Sequence, residues 1–199
     1  MSTFSDTTLP DGCEAHRGAL LHFLDDPGND PEPRPHSMAY FEDGLLVLHQ
    51  GKVIAAGAAS EWLPRLPAAT QVTCWQDGLI VPDFIDTHVH MPQLGVMASY
   101  GAQLLDWLET YTFPHEARFS DVDWARVEAR RFTDLLLCHG TTSALVFCTS
   151  HPESVDALFE AAEERGMGLT AGKVMMDRYA PEDLKDTTSG SYTDSLALL

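Results

Sequence analysis

The chain has 199 residues, 44% of them apolar and 21% charged, an ordinary composition for one large or two smaller folded domains and one that excludes wholesale disorder. Its net charge is −18, from 30 acidic against 12 basic residues. That excludes nucleic acid and anionic membrane surfaces as partners, because both need clustered Lys and Arg, and the acidity is read as solubility.

No apolar run approaches the roughly 18 residues of a membrane span. The N-terminal "MSTFSDTTLPDGCEAH" has no basic patch leading into an apolar stretch, so no signal peptide is expected. Cys13, Cys74, Cys138 and Cys148 form no CxxC pair and read as reduced, buried or semi-buried thiols of a cytosolic protein.

Residues 1–17 are polar and expected to be loose, and "ALLHFL" (Ala19–Leu24) to be a strand. "DDPGNDPEPRPH" (Asp25–His36) is crowded with Pro, Gly, Asn and Asp and reads as a surface loop. "GLLVLHQGKVIAAG" (Gly44–Gly57) reads as a hairpin turning at Gln50-Gly51. "SEWLPRLP" (Ser60–Pro67) predicts a short helical turn capped by Ser60, and "TQVTCW" (Thr70–Trp75) a strand. Roughly the first 78 residues are thus expected to be all-β.

The character then changes. "LIVPDFIDTHVH" is a near-continuous apolar run, as expected of a parallel strand buried on both faces. "GAQLLDWLETYTFP" is helical up to Pro114, with Leu104, Leu105, Leu108 and Tyr111 at helical spacing. "SDVDWARVEARRFTDLLLCHG" predicts a long helix capped by Ser120 and ended by Gly140, with one side marked by Trp124, Val127, Arg131, Leu135 and Cys138. "TTSALVF" (Thr141–Phe147) is a β-branched strand. "PESVDALFEAAEERG" opens on Pro152 and closes on Gly166 as a helix should. "MGLTAGKVMM" (Met167–Met176) is a strand, and "SYTDSLALL" (Ser191–Leu199) begins a helix. Alternating strand and helix is the pattern of a β/α barrel or an open α/β sheet.

Side chains alternate along a strand, so His88 and His90 point the same way and Val89 the other. Two imidazoles so spaced can reach one divalent ion at about 2.0–2.1 Å each. HxH alone is weak, and a solvated or hydrogen-bonded pair is the plain alternative. Its place at the end of the first strand of a β/α series strengthens it, because barrel chemistry sits at strand C-termini. His151-Pro152-Glu153 matches the H-x-E of cytidine-type zinc deaminases, but no P-C-x-x-C follows. His151 is therefore expected just before a helix N-terminus, with Glu153 suiting the dipole.

"GLIVPDFIDTHVHMPQ" resembles the metal-binding segment of the amidohydrolase superfamily, in which a small β-sandwich leads into a barrel. "HVHMPQ", "LLDWLETYTFPHEARF", "GTTSALVF" and "GKVMMDR" narrow the resemblance to the guanine deaminase family. It implies a partial β-sandwich domain over residues 1–80 and the first part of a metal-dependent (β/α) TIM-type barrel over 81–199. It further implies His88 and His90 as ligands of zinc (iron being the alternative), Gln93 as a hydrogen-bond partner of the purine, and Leu104, Leu105 and Trp107 near the base. The plain alternatives are an exposed loop amide for Gln93 and an ordinary amphipathic helix for the leucines and Trp107. Asp86 shares the histidine face and is expected to make a second-layer hydrogen bond, with loop capping as its alternative.

The implied reaction is hydrolytic deamination of guanine to xanthine and ammonia, in an enzyme that is a homo-oligomer in its full-length form. Further histidines, an Asp, a Glu acid and base-gripping Arg and Phe residues belong to later strands in the resembled family. The residues after position 80 fall well short of the roughly 250 of a complete barrel. The expectation is thus an N-terminal portion with no catalytic residue of its own and no activity alone. The rivals are an amidohydrolase acting on ring amines or chlorides, and a non-catalytic chain that associates with a partner. Two positions depart from the family: Asp83 stands where it has glycine, and Tyr179 where it has asparagine.

Overall fold

Gln50 and Gly51 both have positive φ, 51° and 72°, in the computed structural model, which describes residues 8–32, 34–101 and 103–199. Those angles fit a two-residue turn twisted to match its strands. They join β2 (Met38–His49) to β3 (Lys52–Ala58) in antiparallel register. β1 (Glu14–Phe23) pairs antiparallel with β2 and parallel with β4 (Val72–Ile80), giving the sheet order β3-β2-β1-β4.

The strand expected to begin at Ala19 begins at Glu14 instead. Ala15 is buried with Leu45 and Val47, while Arg17 donates two 2.7 Å hydrogen bonds to the Asp43 carboxylate. A polar outer face disguised this strand. The helical turn α1 (Ala59–Trp62) starts one residue before Ser60, whose side chain caps nothing, because Ala59 is wholly buried in the same core. The part of the polar N-terminus comprising residues 1–7 lies outside the described residues.

The chain divides into two compact units, Met1–Pro82 and Asp83–Leu199. Pro82 has no N–H to give to a ladder, and the apolar run expected as one strand is split there. β4 ends at Ile80, and β5 (Phe84–His90) opens the second unit. Asp83 keeps an ordinary negative φ and accepts a hydrogen bond from the Thr142 hydroxyl, so glycine is not required at that position.

In the second unit β5, β6 (Thr141–Phe147) and β7 (Gly168–Gly172) form a parallel sheet in that order. β5 was expected to be buried on both faces. Phe84 and Ile85 are instead 57% and 70% exposed, because among the described residues β5 has a neighbour on one side only. Helices α4 (Val122–Cys138) and α5 (Pro152–Arg165) connect the strands. Asp121, not Ser120, caps α4, accepting from the N–H groups of Asp123 and Trp124. Gly166 ends α5 in the left-handed region at φ 67°. The buried side of α4 is Ala125, Glu128, Ala129, Phe132 and Thr133, not the side marked by Val127 and Leu135. Phe119, Phe132, Ala144, Val146, Val155 and Leu158 form the core between helices and sheet. Arg126–Glu160, Arg130–Glu164 and Arg165–Asp134 ion pairs join the outer surfaces of α4 and α5.

Pro114 does not stop the preceding helix. α2 (Leu104–Trp107) passes into a π-helical turn (Leu108–Thr112) and on into α3 (Phe113–Glu116). A wider turn relieves the clash between a proline ring and the carbonyl one turn back. It also sets Thr112 and Glu116 inside, 1% and 5% exposed. Burial alone pushes the Glu116 carboxyl up to about 7 from 4.5. The folded chain therefore holds a proton there that the unfolded chain releases, so stability is full below pH 4.5 and falls as pH rises through 7. Glu116→Gln is expected to remove about 3 kcal/mol of this pH dependence. Urea midpoints at pH 5 and pH 8 check it, and equal slopes in both proteins would contradict it.

Beyond β7, Lys173 donates to Asp186 (2.5 Å) and Asp194 (2.9 Å). This clasp ties the strand end to α6 (Thr188–Ala197), which follows a Thr187 cap and starts three residues before the expected Ser191. Tyr179 sits in the left-handed region at φ 56° and is 97% exposed. Asparagine tolerates that conformation, whereas it costs a tyrosine about 1–2 kcal/mol.

Candidate functional site

β5 ends at His90, and alternation along it sends Val89 into the core while the two flanking imidazoles share the other face. Their Nε2 atoms converge to 3.3 Å. That is long for an N–H donor to a ring nitrogen. Two nitrogens each about 2.05 Å from one tetrahedral ion stand about 3.3 Å apart, so the pair has the bite of two metal ligands. Metal binding needs neutral imidazole, and His90 favours that form: burial lowers its pKa, and the neighbouring His88 lowers it further.

Asp86 turns its Oδ1 to the backbone N–H of His88 at 3.0 Å. The hydrogen bond expected of it therefore goes to the His88 main chain and fixes the strand end, while the rings are left to other contacts. Phe147, at the end of β6, supplies those contacts. Its ring centroid lies 4.9 Å from that of His88 and 4.8 Å from that of His90, stacked on the latter at 16°. Phe147 was not among the expected site residues. Its strand was legible, but its place beside His90 depends on the β5–β6 register, which pairs the two residues.

A cavity of about 630 Å³ opens beside the pair, within the size range of small-molecule sites. His88, His90, Gln93 and Asp86 line it, with Met97, Phe132 and Leu136 as its apolar wall. Gln93 is half-buried on the turn Met91–Val96, whose Met91, Pro92 and Leu94 anchor it in the core. Leu104, Leu105 and Trp107 are not brought to this cavity. Leu104 and Leu105 are each 70% exposed, and the Trp107 indole N–H is committed to Ser99 Oγ at 2.7 Å. Among the described residues no group of three or more His, Cys, Asp or Glu side chains is placed to hold a metal ion.

His151 lies at the start of α5 as expected, its N–H donating to Thr149 Oγ1 and its carbonyl accepting from Ser154 Oγ. Nearby Cys148 is buried, and its thiol is pushed up to about 12, which makes it inert as a nucleophile.

The sequence profile of the Amidohydrolase family matches residues 79–196. The guanine deaminase of Escherichia coli (strain K12) is 47% identical over 171 residues, covering 86% of this chain and 39% of that protein. Its solved structure superposes with a TM-score of 0.78 and 44% identity over 93% of this chain and 43% of the other. The guanine deaminase from C. acetobutylicum, solved with guanine bound in its active site, has a TM-score of 0.71 at 27% identity and is matched over 42% of its length. The chain thus spans about two fifths of the curated relatives it matches. The parallel β5-β6-β7 sheet with its connecting helices is part of a TIM-type barrel.

Proposed function

Because this chain belongs to the amidohydrolase family, we propose that it is the N-terminal portion of a guanine deaminase. Its first unit is then a partial β-sandwich domain, and its second the opening strands of the barrel. His88 and His90 contribute two of the ligands of a zinc ion, for which the 3.3 Å convergence of their Nε2 atoms is the observation that carries the reading. A divalent ion so held would lower the pKa of a bound water from 15.7 to about 7 in the best cases, supplying hydroxide for hydrolysis.

The chain's own residues prepare that chemistry. The pair presents its two Nε2 atoms in one direction. Gln93 offers both an amide donor and an acceptor to a purine edge in the same cavity. Met97, Phe132 and Leu136 give the flat base an apolar wall. Leu105 and Trp107 are proposed to approach the base only if the segment from Leu104 onward closes over the cavity. Overall the reaction exchanges the amine of guanine for a hydroxyl from water, releasing ammonia and xanthine, a step of purine breakdown in the cytoplasm. The proton-shuttling acid comes from outside these residues, and the full-length enzyme is a homo-oligomer that takes a neutral base, not nucleic acid or membrane.

The test joins residues 1–199 to the matching remainder of the Escherichia coli relative. The chimera is expected to convert guanine to xanthine, followed by ultraviolet absorbance, and the 199-residue chain alone to convert none. Xanthine from the chain alone, or a folded, zinc-loaded chimera that leaves guanine intact, would overturn the reading.

A further inference from the structure

We propose that Phe147 is a positioning residue for the imidazole pair: its ring is the wall that keeps both Nε2 atoms convergent. The inference rests on the metal reading above for its consequence, but on separate observations for its geometry. The terminal torsion of a histidine is broad and roughly two-fold. A rotation of either ring out of its present plane would carry its Nε2 away from the other. Nothing in β5 prevents this, since the Asp86 hydrogen bond goes to the His88 backbone. Phe147 touches both rings at once, with centroids at 4.9 and 4.8 Å, and lies nearly parallel to His90 at 16°.

Phe147 is not core filling in disguise. Its neighbour Val146 is 2% exposed and belongs to the core cluster, whereas Phe147 is half-buried and lies outside that cluster. Register places it opposite His90 on one side and opposite Gly172 on the other. Gly172 has no side chain, and a Cβ there would meet nothing within 4 Å, so the sheet face beside the ring is open and its packing is directed at the histidines. Ligation withdraws charge from an imidazole, and an aromatic face attracts the partial positive charge that results. The same contact therefore orients the ligands and favours their metal-bound form.

Two readouts on the 199-residue chain test this. In NMR spectra the ring protons of His88 and His90 are expected to carry upfield ring-current shifts. Phe147→Leu is expected to abolish those shifts, and Phe147→Tyr to retain them. By titration with zinc alone, Phe147→Leu is expected to weaken binding about 10–100-fold, the usual effect of losing a residue that supports metal ligands. Val146→Ala, which lowers stability from the opposite face of the strand, is expected to leave zinc affinity unchanged. Histidine shifts that persist in a folded Phe147→Leu protein would overturn the proposal whether or not zinc binds. Equal losses of affinity in Phe147→Leu and Val146→Ala would also overturn it, by reducing Phe147 to a stability element. Failure of the wild-type chain to take up zinc, with the shifts behaving as expected, would count against the metal reading and uphold the positioning role.

Discussion

Replacing His88 with alanine is expected to abolish zinc binding by the chain and deamination by the completed enzyme. Two protein nitrogens are already fewer than the three ligands plus water of an ordinary catalytic zinc. Losing one leaves His90 as a single donor, which competes poorly with water. The loss should therefore exceed the roughly 10–100-fold typical of residues that only support ligands. His90→Ala should behave alike, because the two Nε2 atoms share one focus at 3.3 Å. Titration with zinc followed by metal analysis of the desalted protein measures it. Undiminished binding in either variant would place the metal elsewhere. Asp86→Asn offers a graded comparison, since its Oδ1 accepts from the His88 N–H and an amide oxygen can do the same.

The largest expected loss of stability is at Lys173. Its side chain is 1% exposed and its ammonium is held between Asp186 and Asp194. Burial opposes its charge, but the two carboxylate hydrogen bonds outweigh that and raise its pKa overall. Asp186 is shifted down by the same bond despite its own burial, helped by Ser191 Oγ and the Thr187 N–H. Lys173→Met leaves the Asp186 carboxylate desolvated beside an apolar stem, at a cost of about 3–5 kcal/mol. Lys173→Met combined with Asp186→Asn should recover much of it, because the stranded charge is then gone. Chemical unfolding of the three variants decides the matter. Additive losses would show that the pair does not act as a unit.

Much of the second unit could be read directly from its residues. The run Thr141–Phe147 is β-branched and bounded by Gly140, and it is β6 end to end. Pro152 and Gly166 marked α5 because one lacks an N–H where none is needed and the other accepts a left-handed turn. The failures have equally local causes. On α4 the larger apolar residues Val127 and Leu135 mark one side, yet they are 58% and 36% exposed. Ala125 and Ala129 are fully buried in their place, since small side chains let a helix approach its neighbours closely. Pro114 predicted a stop, but a π turn absorbed it while Thr112 and Glu116 were drawn inside.

For the site, the division follows the range of the forces involved. Strand alternation is a property of neighbouring peptide units, so the sequence by itself determined that His88 and His90 share a face and that Asp86 joins them. Family resemblance read from the same residues supplied the expected chemistry. Only the tertiary structure decided that Phe147 lies against both rings, that Gln93 opens on their cavity, and that Leu105 and Trp107 do not. The Phe147 contacts join residues far apart in the chain, and all these placements depend on which strands pair, in what register, and on which helix face the core admits. Such choices come from the packing of the whole unit, and no local pattern encodes them.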